Sequence, residues 1–234
     1  MPRYKSVHTG PQIDSGVSRA LPGGEIDQLR PNRNLLENWD FRDPVNQRGV
    51  TSWSSGYGLD RWSFAGGGSI LVNSGSVSLN NAVLTQFFEV GWLKAATYTV
   101  SVFADNIYGN AVVGFYGGAN YSSGGWISDG NGLFHVTITV TSNDSTYRGF
   151  IYIGSTATNI TKVKLELGSV STLANDPPAD HEAEKAKCKR YFNLWASEAA
   201  RTAALLEVGA MRTTPVLSTI DIGGVTYYTA IADL

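Results

Sequence analysis

Between residues 34 and 172, apolar and polar positions alternate in short runs separated by Gly, Asn and Ser. In "TYTVSVFA", Tyr98, Val100 and Val102 fall on one side, with Thr99, Ser101 and Phe103 on the other. The same period of two recurs in "HVTITV" and "TKVKLEL", and it is the period of a pleated strand with one face buried. "SILVNSGSVSLNN", "AVLTQFFEV", "NAVVGFYGG" and "YRGFIYIGS" add β-branched and aromatic runs bounded by turn residues. No helical pattern intervenes, so residues 34–172 are predicted to form an antiparallel β-sandwich of the jelly-roll kind.

The two ends follow another rhythm. In residues 1–33, Ile13, Val17 and Leu21 recur at spacing four, which places them on one face of a helix stopped by Pro22-Gly23-Gly24. So short a helix is marginal alone in water. It either docks on its own domain or offers its stripe to other copies of the chain. In residues 173–234, Asp176-Pro177-Pro178 breaks the last strand, and Asp180 can cap a helix with Glu182 and Glu184 in its first turn. Cys188, Tyr191 or Phe192, and Trp195 then form a single stripe on that helix. Residues 205–234 read as short strands, with Gly223-Gly224 as a hairpin signal. The expected architecture is mainly β: a helical leader (1–33), the sandwich (34–172), and a C-terminal helix with a β-hairpin (173–234).

Composition narrows the chemistry. Only 16% of residues are charged and the net charge is −2, so the basic balance of a nucleic-acid binder is missing. One cysteine excludes an intrachain disulfide or a multi-thiolate zinc site. His8, His135 and His181 are too scattered to suggest a metal motif, and no cofactor is expected. No apolar run reaches the roughly 18 residues of a membrane span. The opening "MPRYKSVHTGPQ" lacks the apolar core of a secretion signal. Cys188 sits among lysines that would activate an exposed thiol. Its alignment with aromatics points instead to a packing residue.

No catalytic or phosphate-binding motif is present. "AGGGS" (65–69) lacks the helix start that a phosphate cradle needs and reads as a loop. Asp60, Asp105, Asp129 and Glu166 are the carboxylates a glycoside-cleaving pair would draw on. Each also has an ordinary use: Asp60 paired with Arg61, Asp105 and Asp129 in turns, Glu166 on an alternating strand. The more informative signal is aromatic residues in loop-like surroundings. Trp53, Tyr57, Tyr108, Tyr121 and Trp126, with Asp129 nearby, lie among Gly, Ser and Asn. Sugar rings stack their C–H faces on such planes while polar neighbours bond the hydroxyls. These six are the candidate glycan contacts, against the alternative that the rings fold back over the core or an interface. Trp39, Trp62, Phe87 and Trp92 have more apolar surroundings and are assigned to the core.

The stretch "NLLENWDFRDPVNQRGVTSWSSGYGLDRWSF" (34–64) resembles the opening of the β-sandwich module of phage tail-fibre and tail-tip receptor-binding proteins. Its marks are Asn34-Leu35-Leu36, Asn38, Phe41, Pro44, the run Asn46-Gln47-Arg48-Gly49, and Tyr57 followed by Asp60-Arg61-Trp62. "KLELGS" (164–169), "AKCKRYF" (186–192) and "MRTTP" (211–215) are similar to the later motifs of that family, in the same order. Residues 8–21 look like its helical leader. The resemblance implies a homotrimeric virion tail protein, made in the host cytoplasm, that attaches to a bacterial surface glycan and mounts on baseplate or tail proteins through its leader. The leader here is short, which implies a compact tip or one that mounts directly on a baseplate. The loop at 121–132 carries no family motif, so no ligand site is transferred. Calcium stays open. The alternatives are a monomeric carbohydrate-binding module, or a glycan depolymerase using paired carboxylates.

Overall fold

The computed structural model describes residues 32–117, 121–207, 211, 215–222 and 225–232. The leader stripe Ile13/Val17/Leu21, most of the 211–215 segment and the Gly223-Gly224 turn lie outside the described residues.

Period-two alternation becomes strands, and the strands form two antiparallel sheets with a common core. The larger, eight-stranded sheet runs β1 (Ser52–Trp53), β2 (Ser63–Asn73), β3 (Ser76–Val90), β10 (Arg148–Ile153), β6 (Asn110–Phe115), β7 (Tyr121–Gly125). Off that path, β11 (Thr156–Ile160) pairs with both β3 and β5 (Asn106–Tyr108). The second sheet runs β12 (Lys162–Leu167), β4 (Ala96–Phe103), β9 (Leu133–Val140), β8 (Ile127–Gly130). Leu84, Val113 and Ile151 from the first sheet meet Val100, Val136 and Leu165 from the second in one buried cluster. Phe41 and Trp62 stand edge to face within it, 5.5 Å between ring centres. The sandwich expectation is borne out.

Residues of the 34–64 segment hold the loops to this frame. Asn34 donates to the Val163 carbonyl and accepts from the Leu36 and Leu165 amides, stitching the opening loop to β12. Asn38, in the left-handed region at φ 53°, donates to the carbonyls of Val45 and Asp60 and accepts from the Val45 amide. Asp60 is fully buried and accepts from the Gln47 amide. Its ionic partner is Arg48 at 3.4 Å, while Arg61 pairs with Glu37 at 2.6 Å. The expected Asp60–Arg61 pair is therefore exchanged for two others, each linking separate loops.

The outer face of β12 and β4 is also buried. Lys164 and Glu166 are both sealed from water. The Lys164 ammonium donates to Asp176 (2.6 Å) and to the Thr172 hydroxyl (2.8 Å), which in turn donates to Glu166 (2.5 Å). The segment after β12, which includes the 3-10 turn Leu173–Asn175, is thereby locked over the sheet.

The C-terminal region departs from the sequence reading. Helix α1 (His181–Cys188) is capped as expected, the Asp180 carboxylate accepting from the Ala183 amide. It ends at Cys188, however, and the next residues form β13 (Phe192–Trp195), paired with β15 (Val225–Ile231). Cys188, Tyr191 and Phe192 are buried as the stripe requires, but not on one helix. A ladder partner for the backbone outweighs the weak helical preference of an aromatic run. A second helix, α2 (Glu198–Glu207), takes up the start of the stretch read as strand. β14 (Val216–Ile222) pairs with β15, Ile222 opposite Val225, and completes a three-stranded sheet. Cys188 is a packing residue: burial raises its thiol pKa far above the ordinary value, with Asp60 and Glu37 adding to the shift.

Candidate functional site

The register of the larger sheet brings an aromatic set together on the face opposite the core. Ser63 stands opposite Thr85, Thr85 opposite Tyr152, and Tyr152 opposite Val112. One rung along, Phe87 faces Phe150, Phe150 faces Gly114, and Gly114 faces Tyr121. Cross-strand partners share a face, so these two rungs project on the same side. Tyr57 joins the first rung through an isolated bridge to Ser63. Tyr116, directly after β6, and Arg148, at the start of β10, close the arrangement.

The result is a groove of about 250 Å³ lined by Tyr57, Ser63, Thr85, Phe87, Tyr116, Arg148 and Tyr152 together with Gly56, Phe64 and Ala65. Phe87 and Tyr116 meet edge to face at 5.2 Å, Tyr116 and Phe150 at 6.2 Å, and Phe150 leans on Tyr152 at 4.4 Å. The Arg148 guanidinium lies 3.9 Å from the centre of the Phe87 ring and 4.9 Å from that of Tyr116. Tyr116 is 47% exposed, so part of this platform is open to solvent. The buried Thr85 hydroxyl has no hydrogen-bond partner among the described residues. Burial raises the Tyr152 phenol pKa and neighbouring Tyr116 adds to it, against the opposing pull of Arg148. The phenol therefore remains a donor at neutral pH. Flat rings, hydroxyl donors and a cation in one concavity suit a polar ring compound with apolar C–H faces.

The six residues expected from the sequence are dispersed. Tyr57 lines the groove, and Tyr121, 62% exposed, shares its face toward the β7 edge. Trp53 belongs to the core. It is 8% exposed, and its indole lies so close to Gly58 that a Cβ there would sit 2.1 Å from the ring. Trp126, between β7 and β8, packs half-buried against the core. Tyr108 is exposed at the end of β5, and Asp129 on β8 bonds His135 at 2.6 Å. Of the residues assigned to the core, Trp39 and Trp62 are buried there. Trp92 is 41% exposed and stacks on Phe88. Phe87 is buried but belongs to the groove. Alternation in "LTQFFEV" and "RGFIYI" is the signal that pairs Thr85 with Phe87 and Phe150 with Tyr152; only strand register shows that the two runs are neighbours.

The other candidates are more fully satisfied. Asp60, Asp105, Asp129 and Glu166 each bond a separate set of partners. A crevice of about 240 Å³ beside α1 is lined by Arg33 and by Arg61, Arg190 and Lys187, the last three paired with Glu37, Glu89 and Glu184 respectively. Among the described residues no group of His, Cys, Asp and Glu is placed to hold a metal ion, and no helix is long and apolar enough to cross a membrane. Compared with protein-family models and with curated proteins, the chain matches none.

Proposed function

We propose that this chain is a non-catalytic receptor-binding protein of a phage tail, holding a bacterial surface glycan in the groove of Tyr57, Phe87, Tyr116, Arg148 and Tyr152. The observation that carries the reading is that groove: aromatic faces and hydroxyl donors converge on one concavity of the sheet. The ordered motifs from Asn34 to the 211–215 segment support the tail assignment, and with it a location in the virion tail and attachment to baseplate or tail proteins through residues 1–33.

A homotrimer fits the same reading. β14 is an edge strand, with Val216 68% and Leu217 50% exposed, and Val225 on β15 is 51% exposed. An open edge carrying apolar side chains is a template for association unless something covers it. Three copies raise avidity without new contacts per site. A monomeric carbohydrate-binding module would use the same groove, and native mass separates the two.

The test is adsorption of labelled protein to a panel of bacterial strains, with purified surface polysaccharide as competitor. Retention by particular strains, displaced by their own polysaccharide and accompanied by no release of reducing sugar, is expected. Retention that polysaccharide does not displace overturns the glycan reading. Release of reducing sugar overturns the non-catalytic one.

A further inference from the structure

The groove carries a charge that its own walls do not answer. Its lining holds one cation, Arg148, and no carboxylate. Arg42, Arg48, Arg61, Arg190 and Arg201 each face a carboxylate within 4.0 Å. Arg148 has no such partner among the described residues; its neighbours are the rings of Phe87 and Tyr116. Stacking engages the flat face of a guanidinium and leaves the N–H groups at its edge free to donate. The Phe87 ring centre lies 3.9 Å from the guanidinium carbon and that of Tyr116, a ring turned 85° to it, 4.9 Å away, so two rings brace the head of Arg148 before a ligand arrives. The protonated Tyr152 phenol, a further donor, lines the same concavity, as does Thr85, whose hydroxyl is sealed from solvent and has no partner among the described residues.

On the reading that the groove binds glycan, we infer that the glycan is acidic, with a carboxylate or a backbone phosphate received by the edge of Arg148. An anionic group takes two parallel N–H bonds from such a fork, and bonds of this type are roughly twice as strong as neutral ones. A neutral sugar would leave the cation only partly satisfied within the aromatic surround.

The experiment offers the whole chain an array of bacterial polysaccharides, neutral and acidic, each uronate polymer also after carboxyl reduction, together with poly(glycerol phosphate). Binding is expected to acidic members, to be lost on carboxyl reduction, and to fall about tenfold or more in Arg148→Gln. Arg148→Lys keeps the charge without the planar fork and is expected to lie between. Retention of poly(glycerol phosphate) with weak binding to uronates assigns the anion as phosphate; the reverse assigns it as carboxylate. If neutral polymers or carboxyl-reduced ones bind the wild-type chain as well as acidic ones, the acidic inference is overturned and the glycan reading stands. If no polymer is retained, the glycan reading itself fails.

Discussion

Lys164 lies where a charge is most costly to strand. It is sealed from water beside Glu166 and Asp176, with Thr172 bridging. Removing one member of such a set leaves its partners charged and buried. Lys164→Ala is expected to lower unfolding stability by about 3–5 kcal/mol, read from urea midpoints. Asp40 behaves differently: its carboxylate is buried, but its ionic partner Arg42 is 44% exposed. Burial works to raise its carboxyl pKa, but hydrogen bonds from Arg42 and the Ala179 amide outweigh it and hold the group below its ordinary value. A depressed folded pKa means that the stability Asp40 contributes is present above the unfolded carboxylate range and lost as pH falls through the folded value. Asp40→Asn is therefore expected to flatten the decline of stability below about pH 4, measured from urea midpoints across pH 2 to 6. Cys188 should resist alkylation by iodoacetamide at pH 8 in the native protein and react once urea unfolds it. Rapid labelling of the folded chain would contradict its burial. At this scale the sequence was informative wherever a side chain acts locally, as with Asp180 capping α1. It was uninformative where partners are distant, as with the exchange between Asp60, Arg61, Glu37 and Arg48.

At the scale of elements, the pairing of β2 with β3 shifts register between Gly66 and Ser69, and Gly68 sits within that shift. A Cβ on Gly68 would lie 1.8 Å from the Asn80 carbonyl oxygen, whereas one on Gly67 would meet nothing nearer than 3.7 Å. Gly68→Ala is expected to destabilise by about 1–3 kcal/mol, since backbone must move to admit it. Gly67→Ala should stay within about 0.5 kcal/mol. Thermal unfolding of the two variants side by side checks the contrast. Period two identified the strands of the sandwich because each buries one side against a common core. The C-terminal region was harder to read because the stripe from Cys188 to Phe192 is buried by both possible conformations. Spacing of three or four residues does not separate a helix from a turn that feeds a strand. The groove was half legible. Thr85/Phe87 and Phe150/Tyr152 alternate in plain view, but β3 and β10 lie far apart in sequence. Local composition therefore assigned Phe87 to the core and left Tyr116, Arg148 and Tyr152 unnoticed.

For the whole molecule, the groove and the open edge of β14 make separate demands. If the edge is the interface between copies, Val216→Lys with Leu217→Lys is expected to lower the native mass by light scattering while leaving each groove's affinity for a single glycan chain unchanged. An unchanged mass moves the interface elsewhere in the chain. The claim on which the rest depends is that the aromatic face of the larger sheet binds sugar. The most direct measurement is a bacterial glycan array probed with the wild-type chain and with a Tyr116→Ala/Tyr152→Ala variant whose melting temperature is checked first. Both rings line the groove and neither belongs to the core cluster, so the fold should survive their loss. The account predicts that the wild type retains a defined set of glycans and that the variant loses that set by tenfold or more, about 1.4 kcal/mol. A folded variant that binds the same glycans equally well would contradict it.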